Sequence, residues 1–189
     1  MRERYISLRR RYEPAATRLA IVAESPPASG LYFYDEIGAT TEPLFAAVMK
    51  QLRLQPSTKA EGLSALRQEG WLLVDATYQP VNALDAAGRD AVIVRDYPLL
   101  REDLKALAPE RVVLIKKNVC VLLEPRLVAD GFRVINEGRA IFPAMAGRAT
   151  SIDNSRRSRC PSDGAWSPVP LPAALPLFSA GLGVLGLLG

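Results

Sequence analysis

Four short runs of strand length, separated by helical stretches, constrain this chain more than any other feature. Arg18-Leu-Ala-Ile-Val-Ala23, Trp71-Leu-Leu-Val-Asp75 and Arg111-Val-Val-Leu-Ile-Lys116 are nearly continuous in apolar residues, and Phe132-Arg-Val-Ile135 follows as a fourth. A strand wetted on one face alternates polar with apolar, whereas a continuous run is the pattern of a strand covered on both faces. Helix signals lie between them. Thr41-Glu42-Pro43 combines a capping hydroxyl, an acid and a proline whose missing N–H does no harm in a first turn, so a helix is predicted to about Leu52. Thr58 and Glu61 form a capping box that opens a second helix, stopped by Gly70. Ala91 to Leu107 is predicted largely helical with a break at Pro98, and Asn118 to Ala129 as a helix closed by Gly131. Strands alternating with helices predict an α/β domain: three layers, a central, mostly parallel four-stranded sheet with helices on both faces.

That pattern ends near residue 150, and the boundaries expected are 1–150 for the globular domain, 151–164 for a polar, turn-rich linker and 165–189 for an apolar tail. From Ala165 to Gly189 there is no charged residue, but Pro168, Pro170, Pro172 and Pro176 shorten the clean helical stretch below the ~20 residues that span a bilayer. The overall hydrophobic fraction of 49% therefore overstates the core of the domain itself.

Composition excludes several kinds of chemistry. The sequence has no histidine, the usual general base near neutral pH and the commonest metal ligand. Cys120 and Cys160 are its two cysteines, too few for a four-ligand zinc site or a four-thiolate cluster within one chain. Cys120 is expected as a small core residue on a helix, with a disulfide to Cys160 left open. No cofactor is implied. Catalysis would rest on carboxylates, Lys, Tyr, Ser or Thr.

The net charge is +4, and arginine gathers at Arg2, Arg4, Arg9, Arg10 and Arg11 and again at Arg148, Arg156, Arg157 and Arg159. Basic ends suit nucleic acid or anionic lipid, and are equally compatible with a solvated charge run. The basic lead MRERYISLRRRYEP is not followed by the apolar run of a secretory signal, so the globular part is expected in the cytoplasm.

After the first strand, Glu24-Ser-Pro-Pro-Ala-Ser-Gly30 cannot form a regular element. A loop at the carboxyl end of a parallel strand is where open α/β sheets hold their ligands. This loop also carries a family resemblance. Val22-Ala-Glu-Ser-Pro-Pro-Ala-Ser-Gly-Leu-Tyr-Phe-Tyr34, Leu73-Val-Asp-Ala-Thr-Tyr-Gln-Pro-Val-Asn82, Ile115-Lys-Lys117 and Asn136-Glu-Gly-Arg-Ala-Ile-Phe-Pro143 resemble the uracil-DNA glycosylase superfamily, over residues 12–150. The resemblance implies that fold and a hydrolase acting on DNA.

Cleaving an N-glycosidic bond passes through an oxocarbenium-like state that a carboxylate can stabilise, and Glu24 is the candidate. The extruded base needs a stacking face, for which Tyr32, Phe33 and Tyr34 are candidates, and an edge contact. The resemblance assigns that contact to Asp75, where superfamily members often carry Asn; a plain strand-end cap is the alternative. Lys116, Lys117 and Arg148 are candidates for DNA phosphates. Phe142-Pro143-Ala144 stands where the superfamily has a His-Pro-Ser type loop, so the histidine and serine of that motif are missing here. The closing helix of the fold is also expected to be absent.

The tail carries a second resemblance. Val169-Pro-Leu-Pro-Ala-Ala-Leu-Pro-Leu-Phe-Ser-Ala-Gly-Leu-Gly-Val-Leu-Gly-Leu-Leu-Gly189 resembles the VPLPA variety of the PEP-CTERM bacterial sorting signals, which implies a membrane helix and sorting machinery as partner. Its positive charges, Arg156, Arg157 and Arg159, precede the apolar run, an arrangement expected to keep the domain on the cytoplasmic side. Three readings follow: a DNA- or nucleobase-binding glycosylase relative, a non-enzymatic protein held at a membrane by residues 165–189, and an inactive, truncated remnant of the glycosylase fold.

Overall fold

The computed structural model describes residues 2–136; the expected linker, the apolar tail and the Phe142-Pro143-Ala144 loop lie outside them. In chain order the elements are α1 (Arg2–Arg10), β1 (Leu19–Ala23), α2 (Pro43–Gln51), α3 (Lys59–Gln68), β2 (Trp71–Asp75), α4 (Ala86–Leu107), β3 (Val112–Leu114) and α5 (Lys117–Ala129). The three strands form a parallel sheet in the order β2-β1-β3, with Leu19 opposite Trp71, Ala23 opposite Asp75, and Ala20 opposite Val112. Every strand residue is buried, as continuous apolar runs require.

Alternation along β1 sorts the core into two clusters. Leu19, Ile21 and Ala23 pack with Tyr5 and Ile6 of α1, Phe45, Val48 and Met49 of α2, and Leu63 and Leu66 of α3. Ala20 and Val22 pack with Ile93, Tyr97, Leu100 and Leu104 of α4 and with Val119, Cys120, Leu123 and Leu127 of α5. The described residues thus form an α/β domain with helices covering both sides of the sheet, and Cys120 lies in the core on a helix.

Several expectations need correcting. The fourth strand is reduced to a single parallel bridge between Val112 and Val134. Two backbone hydrogen bonds make it, Val112 N–H to the Arg133 carbonyl at 2.8 Å and Ile135 N–H to the Val112 carbonyl at 2.9 Å. Beyond them the Asn136 amide replaces the ladder, accepting from Leu114 N–H and donating to the Leu114 carbonyl, both at 2.7 Å. A side chain that satisfies both backbone groups ends the need for a further strand residue there.

Pro98 does not break α4, which continues through it. Burial of Ile93, Tyr97, Leu100 and Leu104 along one face offsets the lost backbone hydrogen bond. The same helix starts earlier than its apolar pattern suggests, because the Asp85 carboxylate caps it by accepting from Gly88 N–H at 2.8 Å. For α2 the N-cap is Glu42 rather than Thr41, with no side-chain hydrogen bond. The Thr58 cap forms as expected, accepting from Glu61 N–H at 3.2 Å, but the Glu61 carboxylate turns back one residue further, to Ser57 N–H at 2.8 Å. The basic lead is itself a helix, α1, with Tyr5, Ile6 and even Arg9 buried.

Candidate functional site

A parallel sheet brings the carboxyl ends of its strands to one side, and the loops leaving β1, β2 and β3 meet there. Glu24 follows β1, the central strand, and its carbonyl accepts from Thr77 N–H at 3.2 Å, tying the first loop to the one after β2. Two further bonds fasten these loops: Val81 N–H to Ser25 Oγ at 3.4 Å and Ala28 N–H to Asn82 Oδ1 at 3.2 Å. The two prolines give the loop its shape, and those bonds hold it against its neighbour.

The Glu24 side chain is only 7% exposed. A carboxylate so placed needs a cation and hydrogen bonds to offset its desolvation. Both come from the start of α5: Lys116, its N-cap residue, forms an ion pair with Glu24 Oε2, and Asn118 Nδ2 donates to Oε1 at 2.6 Å. The Asn118 amide also lies 3.5 Å from Asp90 Oδ1 on α4. The N-terminal end of a helix adds favourable dipoles to a carboxylate. Each carboxylate oxygen is therefore held by the segment leaving β3, the strand on the opposite side of β1 from β2.

The other predicted residues divide. Lys116 joins Glu24 instead of standing free for phosphate, and Lys117 is exposed in the first turn of α5. Arg148 lies outside the described residues. Tyr32, Phe33 and Tyr34 are 2%, 5% and 0% exposed, so the expected open stacking face is corrected to a core of rings. Tyr32 packs on Tyr5 with centroids 4.6 Å apart, Phe33 on Phe45 at 5.7 Å, and Tyr34 on Tyr12 at 6.3 Å. Apolar area explains this: a run of three large aromatics stabilises the domain most when removed from water. The Tyr34 hydroxyl meanwhile donates to the Leu73 carbonyl at 2.9 Å and accepts from Leu73 N–H at 2.7 Å.

Asp75 closes β2 and is buried, accepting from the Tyr32 hydroxyl at 3.1 Å. Burial pushes its carboxyl from an ordinary 3.8 up to about 7, against the opposing pull of the Tyr32 hydrogen bond and the nearby Arg9 guanidinium. The Tyr32 hydroxyl is pushed far up as well, by burial and then by the Asp75 charge. Asp75 lines a cavity of about 290 Å³ with Arg2, Thr77, Tyr78, Asp96 and Leu100; Glu24, Lys116 and Asn118 do not line it. The two carboxylates that the sequence joined in one base site thus face different surroundings.

Asn118 and Arg9 are what the sequence reading missed. Asn118 stands in the first turn after a Lys-Lys pair, a position whose side chain can reach back to the preceding strand end. Arg9, buried among arginines that are mostly exposed, donates to Tyr78 Oη at 2.6 Å and to Asp103 at 3.3 Å, and pairs with Glu13 at 3.1 Å. Among the described residues no three His, Cys, Asp or Glu side chains form a group able to hold a metal ion, and no helix is long and apolar enough to cross a membrane. No protein-family model matches the chain, and no curated protein matches it.

Proposed function

We propose that the domain is a uracil-DNA glycosylase-like protein that binds DNA or a nucleobase at the loop after β1 and hydrolyses an N-glycosidic bond with Glu24. The observation that carries this reading is the fixed Glu24 carboxylate at the exit of the central parallel strand, held by Lys116 and Asn118. A carboxylate oriented in advance stabilises the positive charge that develops on the sugar without reorganising at the moment of reaction. It also orients the attacking water. Parallel strands with helices on both sides, and a fourth segment bridging the outer edge of β3 at Val134, support the fold that the resemblance implies.

Without an imidazole, the departing base takes its hydrogen bonds from backbone N–H groups or from Lys116, the cation nearest the carboxylate. Lys117, exposed beside it, contacts phosphate. The test is a titration of the full chain with uracil-containing single- and double-stranded DNA at two salt concentrations. Affinity falls with salt, and Lys117→Ala weakens binding while reducing the slope of log affinity against log salt by about one. Salt-independent association, or none, overturns the reading.

A further inference from the structure

Arginines mark the end of the sheet away from Glu24. Arg18 precedes β1, Arg111 precedes β3, and Arg133 precedes Val134, the bridge partner of Val112. Because Ala20 pairs with Val112 and Val112 with Val134, Arg111 and Arg133 stand at one level on neighbouring segments. Their carbonyls take part in the same ladder, accepting from Ala20 N–H at 2.9 Å and from Val112 N–H at 2.8 Å. Segments so paired lie about 4.8 Å apart, a spacing at which like charges repel. The Arg18 stem lies on Gly70, where an added Cβ would stand 2.9 Å from its Cγ. Arg133 is exposed, and Arg18 and Arg111 are half-buried. Among the described residues none of the three forms an ion pair or a side-chain hydrogen bond, although Glu69 and Glu110 are exposed at the same end. A row of cations without counter-charges attracts an anionic partner.

We propose that this end of the domain docks on an anionic lipid surface, with Arg18, Arg111 and Arg133 against the headgroup phosphates. Three observations favour lipid over nucleic acid. Val128, in the last turn of α5 shortly before Arg133, is 56% exposed, and an aliphatic side chain beside arginines suits the boundary between headgroups and acyl chains. The sequence repeats that character on a larger scale, since Arg156, Arg157 and Arg159 precede the uncharged apolar run from Ala165 to Gly189. Finally, the row lies at the amino ends of the strands, whereas Glu24 leaves the carboxyl end of β1. A nucleic acid held at Glu24 does not reach the row, and a membrane held at the row leaves the Glu24 loop open to solvent. The docking surface is therefore independent of the glycosylase reading.

The test is co-sedimentation of the full chain with vesicles of phosphatidylglycerol and phosphatidylcholine, and of phosphatidylcholine alone, at two salt concentrations. Each arginine at such a surface contributes about fivefold to partitioning at low salt, so Arg111→Gln/Arg133→Gln should bind the anionic vesicles at least about tenfold more weakly. Arg133→Gln alone, at an exposed position, should lose about fivefold, which decides the matter even where the double variant folds poorly. Arg95→Gln removes a charge from the other end, beside Gln79 in the loop after β2, and should bind as the parent does. Equal affinity of the parent for neutral and anionic vesicles, an unchanged Arg133→Gln, or an equal loss in Arg95→Gln overturns the proposal. So does duplex DNA that displaces the chain from anionic vesicles and itself binds the double variant more weakly, which would make the row a nucleic-acid surface. The readout is vesicle binding, so its failure is distinct from a failure to release a base.

Discussion

Asp75→Asn isolates the cost of keeping a carboxyl buried at the end of β2. The substitution preserves size and the acceptor for the Tyr32 hydroxyl but removes the ionisation. In the folded chain burial holds the Asp75 proton to about pH 7, whereas the unfolded chain releases it near 3.8. Between those values the folded state binds more protons, so the stability supplied by this group is full below about pH 4 and is lost as pH rises through about 7. At about 1.4 kcal/mol for each pH step between the folded and unfolded values, the loss is on the order of 4 kcal/mol across the window. Asp96, whose carboxyl is held low by Arg95 and Thr77 against its own desolvation, contributes an opposite slope at acid pH. The informative quantity is therefore the difference between variant and parent in urea unfolding at several pH values. The variant should gain on the parent from about pH 4 to 7 and then hold a constant advantage. A difference independent of pH would refute the argument.

Further substitutions test the packing, a helix cap and a buried ion pair. Gly62→Ala, ordinarily favourable in a helix, puts a Cβ 2.5 Å from Phe45 Cζ and 2.8 Å from Met49 Sδ. It should destabilise by about 1–3 kcal/mol in urea unfolding. Ala108 caps α4 in the left-handed region at φ 43°, so Ala108→Gly should raise stability by about 1 kcal/mol, read as a higher Tm. Lys59 is fully buried, paired with Glu42 at 2.9 Å and donating to the Tyr32 carbonyl at 3.0 Å. Lys59→Met should cost up to about 3 kcal/mol, and adding Glu42→Gln should restore part of it, because the stranded carboxylate is then neutral.

The strands were legible because a doubly covered strand has a pattern of its own: β2 runs over Trp71–Asp75 as expected, and β1 begins one residue late. Local capping chemistry revealed the start of α3 at Thr58. What stayed hidden depended on tertiary contacts. Tyr5 and Ile6 sit among arginines, and burial of both in the core, together with that of Arg9 against Tyr78 and Asp103, makes that segment a packed helix. Pro98 reads as a break in one dimension and is carried by the core in three. The position of Glu24 at the exit of β1 was legible from the loop that follows it, but its partner Asn118 was not, since sequence separation hides a contact made across two strands. The Tyr-Phe-Tyr run read as a ligand face because exposure cannot be told from composition; the core claimed all three rings.

The most direct test of Glu24 as the working group is release of free uracil from uracil-containing single- and double-stranded DNA by the full chain and its Glu24→Gln variant. The account predicts release by the parent and a loss of roughly two to three orders of magnitude in the variant, with folding intact. Release that survives the substitution, or no release by the parent, would contradict it.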